Sequence, residues 1–211
     1  MRVRPIIRNG LYVITEHTHL DFSELVSISK QVLETGISLL QYRNKNADSN
    51  QRFREASVLL ELCRQYDTPL IINDDVELAL ELQAEGVHLG SDDTQCKKAR
   101  DRLGNDVLIG ISCNNDFERV RLAVIEGADY VAIGAMFPTI TKDETVKASP
   151  QLITQVKQNY DIPVIAIGGI TSANCMPILK AGADLLAVIS SVYLSANPTD
   201  TVKKFNNLIG S

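Results

Sequence analysis

Short runs rich in valine, isoleucine and leucine recur eight times along the 211 residues, at 11–15, 38–42, 70–73, 87–89, 107–112, 130–134, 164–168 and 185–190. Most of them lack polar alternation, as expected of parallel strands covered on both faces. The intervening segments space their apolar residues by three and four, as in Leu25, Ile28 and Val32 or Val120 and Val124, which is the period of a helix. Gly36, Gly86, Gly127 and Gly182 each stand just before a strand, where the end of a helix favours a residue that tolerates the left-handed conformation. A weak internal repeat, Gly127-Ala128-Asp129-Tyr130-Val131-Ala132-Ile133 against Gly182-Ala183-Asp184-Leu185-Leu186-Ala187-Val188, shows one joint used twice. Eight strands alternating with about eight helices favour a single-domain α/β chain, a (β/α)8 TIM barrel over residues 1–211 with 1–10 as a short N-terminal extension. An open doubly wound sheet is the alternative. In both folds, binding belongs at the C-terminal ends of the strands.

Hydrophobic residues make up 45% of the chain, enough to fill a core of this size. The net charge is −5 and the 21 basic residues are scattered, which argues against a nucleic-acid surface. Cys63, Cys96, Cys113 and Cys175 show no metal-binding spacing, and no signal peptide pattern opens the chain. A reduced, cytoplasmic protein is expected. No apolar run approaches the roughly 20 residues of a membrane span, and no linker divides the chain. Small-molecule partners are expected, with no nucleic acid and no membrane. The sequence is compatible with a homo-oligomer without specifying one.

Polar residues gather at the strand ends. In Q-Y-R-N-K, alternation along strand 2 projects Gln41, Arg43 and Lys45 to one side, although a solvated charged turn would read the same way. Strand 3 ends in Asn73-Asp74-Asp75 and strand 4 runs into Ser91-Asp92-Asp93. Asp74 and Asp93 could share one hard cation such as Mg2+, and either could instead cap the following helix. Gly168-Gly169 after strand 7 and Ile189-Ser190 at the end of strand 8 fit the phosphate corner of barrels, where backbone N–H groups approach an anion. The stretch F-P-T-I-T-K follows strand 6 beside that corner, so Thr139 and Thr141 offer hydroxyl donors and Lys142 a charge.

Other residues carry less. His17 and His19 have the spacing of a metal pair, but only His88 remains to complete a histidine site. His88 reads as a packed barrel histidine rather than a catalytic one. Ser112, ending strand 5, offers a hydrogen bond, since no serine-histidine-acid arrangement forms around it by spacing.

The ordered set Q-Y-R-N-K, I-I-N-D-D, G-V-H-L-G-S-D-D, G-I-S, F-P-T-I-T-K, A-I-G-G-I and V-I-S-S resembles the thiamine phosphate synthase family, from about residue 10 to 205. That family joins 4-amino-2-methyl-5-hydroxymethylpyrimidine diphosphate to 4-methyl-5-hydroxyethylthiazole phosphate, releasing diphosphate. The resemblance implies that Gln41, Arg43, Lys45 and Asn73 contact the pyrimidine diphosphate, with Ser112 and Lys142 completing its site. It implies Asp74 and Asp93 as Mg2+ ligands, and Thr139, Thr141, Gly169, Ile189 and Ser190 around the thiazole phosphate. Arg43, Lys45 and Lys142 would carry the catalytic charge. The chain departs from the family pattern at Glu16, where aspartate is more usual, and at Ser91, where glutamine is. The alternatives are a thiazole tautomerase-like barrel, which uses a histidine where this chain has Asn114, and a noncatalytic phosphate-binding barrel.

Overall fold

The computed structural model describes residues 4–90, 96–138 and 148–210. Eight parallel strands close into a barrel in sequence order, from β1 (Gly10–Ile14) through β2 (Leu39–Tyr42), β3 (Leu70–Asn73), β4 (Gly86–Leu89), β5 (Leu108–Asn114), β6 (Tyr130–Gly134) and β7 (Val164–Ile167) to β8 (Leu185–Val188), which pairs back onto β1. The open-sheet alternative is excluded by that closing pair. Around the barrel stand α1 (Phe22–Thr35), α2 (Ser49–Gln65), α3 (Val76–Leu82), α4 (Cys96–Leu103), α5 (Phe117–Ile125), α6 (Pro150–Asn159), α7 (Met176–Lys180), the single turn α8 (Ser190–Tyr193) and α9 (Pro198–Ile209). None of the described helices is long and apolar enough to cross a membrane.

Strand alternation divides the core in two. Leu11, Val13, Leu40, Ile72, Val131 and their counterparts face the helices, while Tyr12, Ile14, Leu39, Ile71, Leu108, Tyr130, Ile165 and Leu185 fill the barrel interior. Burial of both strand faces explains the missing polar alternation in the sequence. Gly110 has a packing reason: a Cβ there would overlap the Tyr130 ring, which crosses the interior.

The repeated Gly-Ala-Asp joint sits at the opposite end from the site. Asp129 accepts a hydrogen bond from Ile109 N at 2.7 Å and pairs with Arg100 at 2.7 Å, and its own N–H donates to Ile109 O. Asp184 repeats the arrangement with Val164 N at 2.7 Å and Lys157 Nζ at 2.9 Å. Each aspartate ties one strand to the preceding strand and to a helix cation, so the motif is structural.

Three boundaries differ from the sequence reading. The left-handed residue ending α3 is Gln83, with φ 53°, and not Gly86; Gly86 starts β4, where a Cβ would press on Leu108 and Ile71. Ile189 and Ser190 leave the strand: Ile189 turns to φ −122° and ψ −90°, and Ser190 begins α8. β5 runs on to Asn114 through a bulge, Ser112 pairing with Ala132 but Asn114 with Ile133.

Candidate active site

The end of β2 is held from two sides. Thr15 Oγ1 accepts a hydrogen bond from Arg43 N at 2.9 Å, fixing the backbone where the strand gives way to the loop. Beneath the loop, Glu55 of α2 is buried and collects three donors: Tyr42 Oη at 2.8 Å, Asn44 Nδ2 at 2.9 Å and Gln51 Nε2 at 2.8 Å. Burial alone would raise the Glu55 carboxyl, but these hydrogen bonds outweigh it and leave it below its ordinary value. His17 lies beside this acid, its Nδ1 3.2 Å from Asn44 Nδ2, and burial pushes its imidazole below the ordinary value against the pull of Glu55 and Glu16. Asn44, between the two candidate cations Arg43 and Lys45, is therefore clamped from below. Gln41 points inward and is buried, Arg43 is half-buried, and Lys45 is exposed with its Nζ 3.4 Å from Asp74 Oδ2. Gln41 facing inward, toward Tyr12, is what strand alternation expects of that residue.

The N-D-D at the end of β3 separates into distinct jobs. Asp75 is the cap of α3, accepting from Leu78 N at 3.0 Å. Asp74, with φ 63°, turns its carboxylate to the mouth, where Asn73 Nδ2 donates to it at 2.6 Å. Capping thus accounts for Asp75 and leaves Asp74 beside Lys45. Asp93 lies outside the described residues. Among the described residues no group of three or more metal-capable side chains comes together. The three histidines face different ways: His17 toward Glu55, His19 exposed against Glu16, and His88 into the barrel.

Glu16 has a local task, accepting from Thr18 N and His19 N, both at 2.9 Å, and so it closes the turn after β1. Ser112 stands on the bulge of β5, half-buried, with His88 Nε2 2.9 Å from its Oγ. Bulges re-aim side chains at barrel rims, and this one separates Ser112 from the exposed Asn114, which has φ 52°. Across the mouth, Gly168 and Gly169 adopt φ 102° and 61°. A Cβ at Gly169 would overlap the backbone at Pro138, so the glycine is required by both conformation and contact. Phe137 N donates to Gly168 O at 3.0 Å and Asn174 Nδ2 to Gly169 O at 2.9 Å, pinning the turn. Ile189, half-buried, and Ser190 at the start of α8 adjoin it on the next strand. Thr139, Thr141 and Lys142 lie outside the described residues.

The barrel mouth therefore has a cationic and amide side at β2 and β3 and a glycine-and-hydroxyl side at β7 and β8. A family model described as thiamine monophosphate synthase matches residues 11–192. The chain belongs to that family. A thiamine-phosphate synthase of Nitrosococcus oceani is 46% identical over 186 residues, covering 88% of this chain and 86% of the relative. One from Azoarcus sp. strain BH72 is 47% identical over 199 residues, covering 94% and 96%. The solved thiamine phosphate pyrophosphorylase of Pyrococcus furiosus superposes with a TM-score of 0.86 at 30% identity, covering 97% of this chain and 96% of the other. The resemblance read from the motifs is borne out.

Within this thiamine phosphate synthase barrel, sequence reasoning passed over two groups. Tyr12 and Tyr130 meet His88 inside the barrel, and Glu55 reaches up from α2 to Tyr42 and Asn44. Strand parity could have found the first group, because Tyr12 and Tyr130 fall on the same inward alternation as Ile14 and Ala132. Helical spacing relates Glu55 to Gln51, four residues before it, but no periodic signal relates it to Asn44 and Tyr42, which lie 11 and 13 residues away.

Proposed function

We propose that this chain carries out its family's synthase reaction with the strand-end residues named above, joining the pyrimidine diphosphate to the thiazole phosphate to give thiamine phosphate and diphosphate. The observation that carries the assignment of residues is the gathering of Gln41, Arg43, Lys45, Asn73 and Asp74 at the adjacent ends of β2 and β3. An anion with two phosphoryl groups needs several donors on one side, and this side supplies them. The Gly168–Gly169 turn with Ile189 and Ser190 suits the single phosphate of the thiazole, with Thr139 and Thr141 as further donors.

The thiazole nitrogen attacks the methylene carbon of the pyrimidine. An N–C bond forms while the C–O bond to diphosphate breaks, and the electron pair of that bond leaves with the diphosphate. The nitrogen lone pair is already available, so no side chain has to remove a proton first. Catalysis then rests on positioning and on charge aimed at the leaving group. Arg43, Lys45 and Lys142 meet the negative charge that grows there. Asn73 and Gln41 orient the pyrimidine diphosphate, and Ser112 contacts its ring. Asp74 and Asp93 would hold Mg2+, a reading supported at Asp74 by the helix capping that Asp75 carries instead and by the hard oxygen donor it offers, and the ion would supply electrophilic charge to the diphosphate oxygens. A cytoplasmic site of action belongs to this reading, consistent with four buried cysteines that carry no disulfide.

A tautomerase-like reading finds no support, since the position two residues beyond Ser112 is Asn114. Incubation with both phosphorylated substrates and Mg2+ tests the proposal. Thiamine phosphate and diphosphate should form in equal amounts, and neither should form when the thiazole phosphate is omitted. A folded, metal-supplied protein that yields no thiamine phosphate would overturn it.

A further inference from the structure

A continuous line of side-chain hydrogen bonds crosses the barrel interior beneath the mouth. Gln41 Nε2 lies 2.5 Å from Tyr12 Oη, Tyr12 Oη 3.1 Å from Tyr130 Oη, Tyr130 Oη 3.2 Å from His88 Nδ1, and His88 Nε2 2.9 Å from Ser112 Oγ. Five strands contribute one member each, and both ends of the line are residues assigned above to the pyrimidine diphosphate. The rings are packed in place: Tyr130 lies nearly parallel to His88, with centroids 5.6 Å apart, and edge-on to Tyr12 at 6.0 Å.

The line has a direction. An amide nitrogen donates and has no lone pair to accept with, so Gln41, with Nε2 toward Tyr12, donates to it. If Tyr130 donated to Tyr12 instead, the buried Tyr12 proton would lose this acceptor, so the order that uses both phenol protons runs from Tyr12 to Tyr130 and from Tyr130 to His88 Nδ1. Burial pushes both phenols well above their ordinary values, so each has a proton to give. His88 Nδ1 is then an acceptor and the ring proton sits on Nε2, donating to Ser112 Oγ. Ser112, accepting from inside, turns its own proton outward. The reverse order would need the Gln41 amide turned over, with Oε1 facing Tyr12.

We infer that His88 is a positioning residue which, through this one-way line, fixes Ser112 as a hydrogen-bond donor toward a ring nitrogen of the pyrimidine. Ring nitrogens are the good acceptors on an aminopyrimidine and the exocyclic amine is its donor, so the polarity of the line selects which edge Ser112 reads. The inference rests on the proposed contact between Ser112 and the pyrimidine.

The test reads the tautomer of His88 by nitrogen NMR on protein labelled with 15N-histidine, without substrate. Three histidines are present, and His88→Gln identifies the signal by its loss. Neutral His88 should carry its proton on Nε2, and Tyr130→Phe, which removes the donor to Nδ1, should introduce the other tautomer. In turnover, Tyr130→Phe should lower kcat/KM for the pyrimidine diphosphate about ten-fold and leave the KM for thiazole phosphate unchanged. His88→Gln, which keeps a donor near the Nε2 position, should retain more activity than His88→Leu. An Nδ1–H tautomer in active wild-type protein, or a tautomer and kcat/KM indifferent to Tyr130→Phe, would overturn the line while leaving the proposed function standing. Failure of the wild-type protein to form thiamine phosphate would remove that function and, with it, the role given to Ser112.

Discussion

Asp74 and Asp75 are adjacent, share a charge and do different work. Asp75 closes the N-terminus of α3 through Leu78 N, and Asp74 sits at the mouth within 3.4 Å of Lys45. Removing a helix cap costs about 1 kcal/mol, so Asp75→Ala should lower the unfolding free energy by that amount, read as a lower urea midpoint. Asp74→Asn should leave the midpoint in place and reduce kcat/KM by about a hundred-fold or more, as loss of charge stabilisation at a reacting centre does. Steady-state kinetics at limiting Mg2+ beside urea unfolding separates them, and a stability loss confined to Asp74→Asn would reverse the assignment. The sequence announced N-D-D as metal ligand or cap and could not divide the two roles, because the division depends on Asp74 taking φ 63°. His88 shows a related limit. Its type and inward parity were legible, but a tautomer is set by partners on β1, β5 and β6, which only the closed barrel brings together.

Strands were the most legible elements, since a run buried on both faces is apolar throughout, and all eight expected runs match observed strands to within about two residues. The last run overshot because Val188, Ile189 and Ser190 read as one stretch, and a four-residue helix has no period by which to recognise α8. The bulge in β5 escaped for a similar reason, since one extra residue leaves composition unchanged. Strand packing gives its own prediction at Gly110, where an added methyl meets the ring of Tyr130. Gly110→Ala should cost about 1–3 kcal/mol, the usual range for overpacking. In a double-mutant cycle with Tyr130→Leu the penalty should shrink, because the obstructing ring is gone. Additive penalties in thermal or urea unfolding would mean that the ring is not what Gly110 accommodates.

For the whole molecule, closure of the barrel converts eight separate strand ends into one mouth, and beside it sits a pair that contributes to the pH dependence of stability. His17 and Glu55 both lie below their ordinary values in the folded protein, so the unfolded chain binds more protons at each. Stability therefore falls on acidification, first below the ordinary histidine value of 6.5 and again below the ordinary glutamate value of 4.5. His17→Gln should flatten the first of these losses, measured as the urea midpoint between about pH 7 and about pH 5. An unchanged slope would show that His17 does not carry it. The central claim is that the mouth holds two anions on opposite sides, the pyrimidine diphosphate at β2 and β3 and the thiazole phosphate at β7 and β8. Measuring both Michaelis constants for Arg43→Ala and Ser190→Ala tests it most directly. Each variant loses at least one hydrogen bond to a charged group, so Arg43→Ala should raise the constant for the pyrimidine diphosphate about ten-fold or more, and Ser190→Ala that for the thiazole phosphate. In each case the other constant should stay near the wild-type value. Equal increases for both substrates in both variants, or the opposite pairing, would contradict the two-sided mouth.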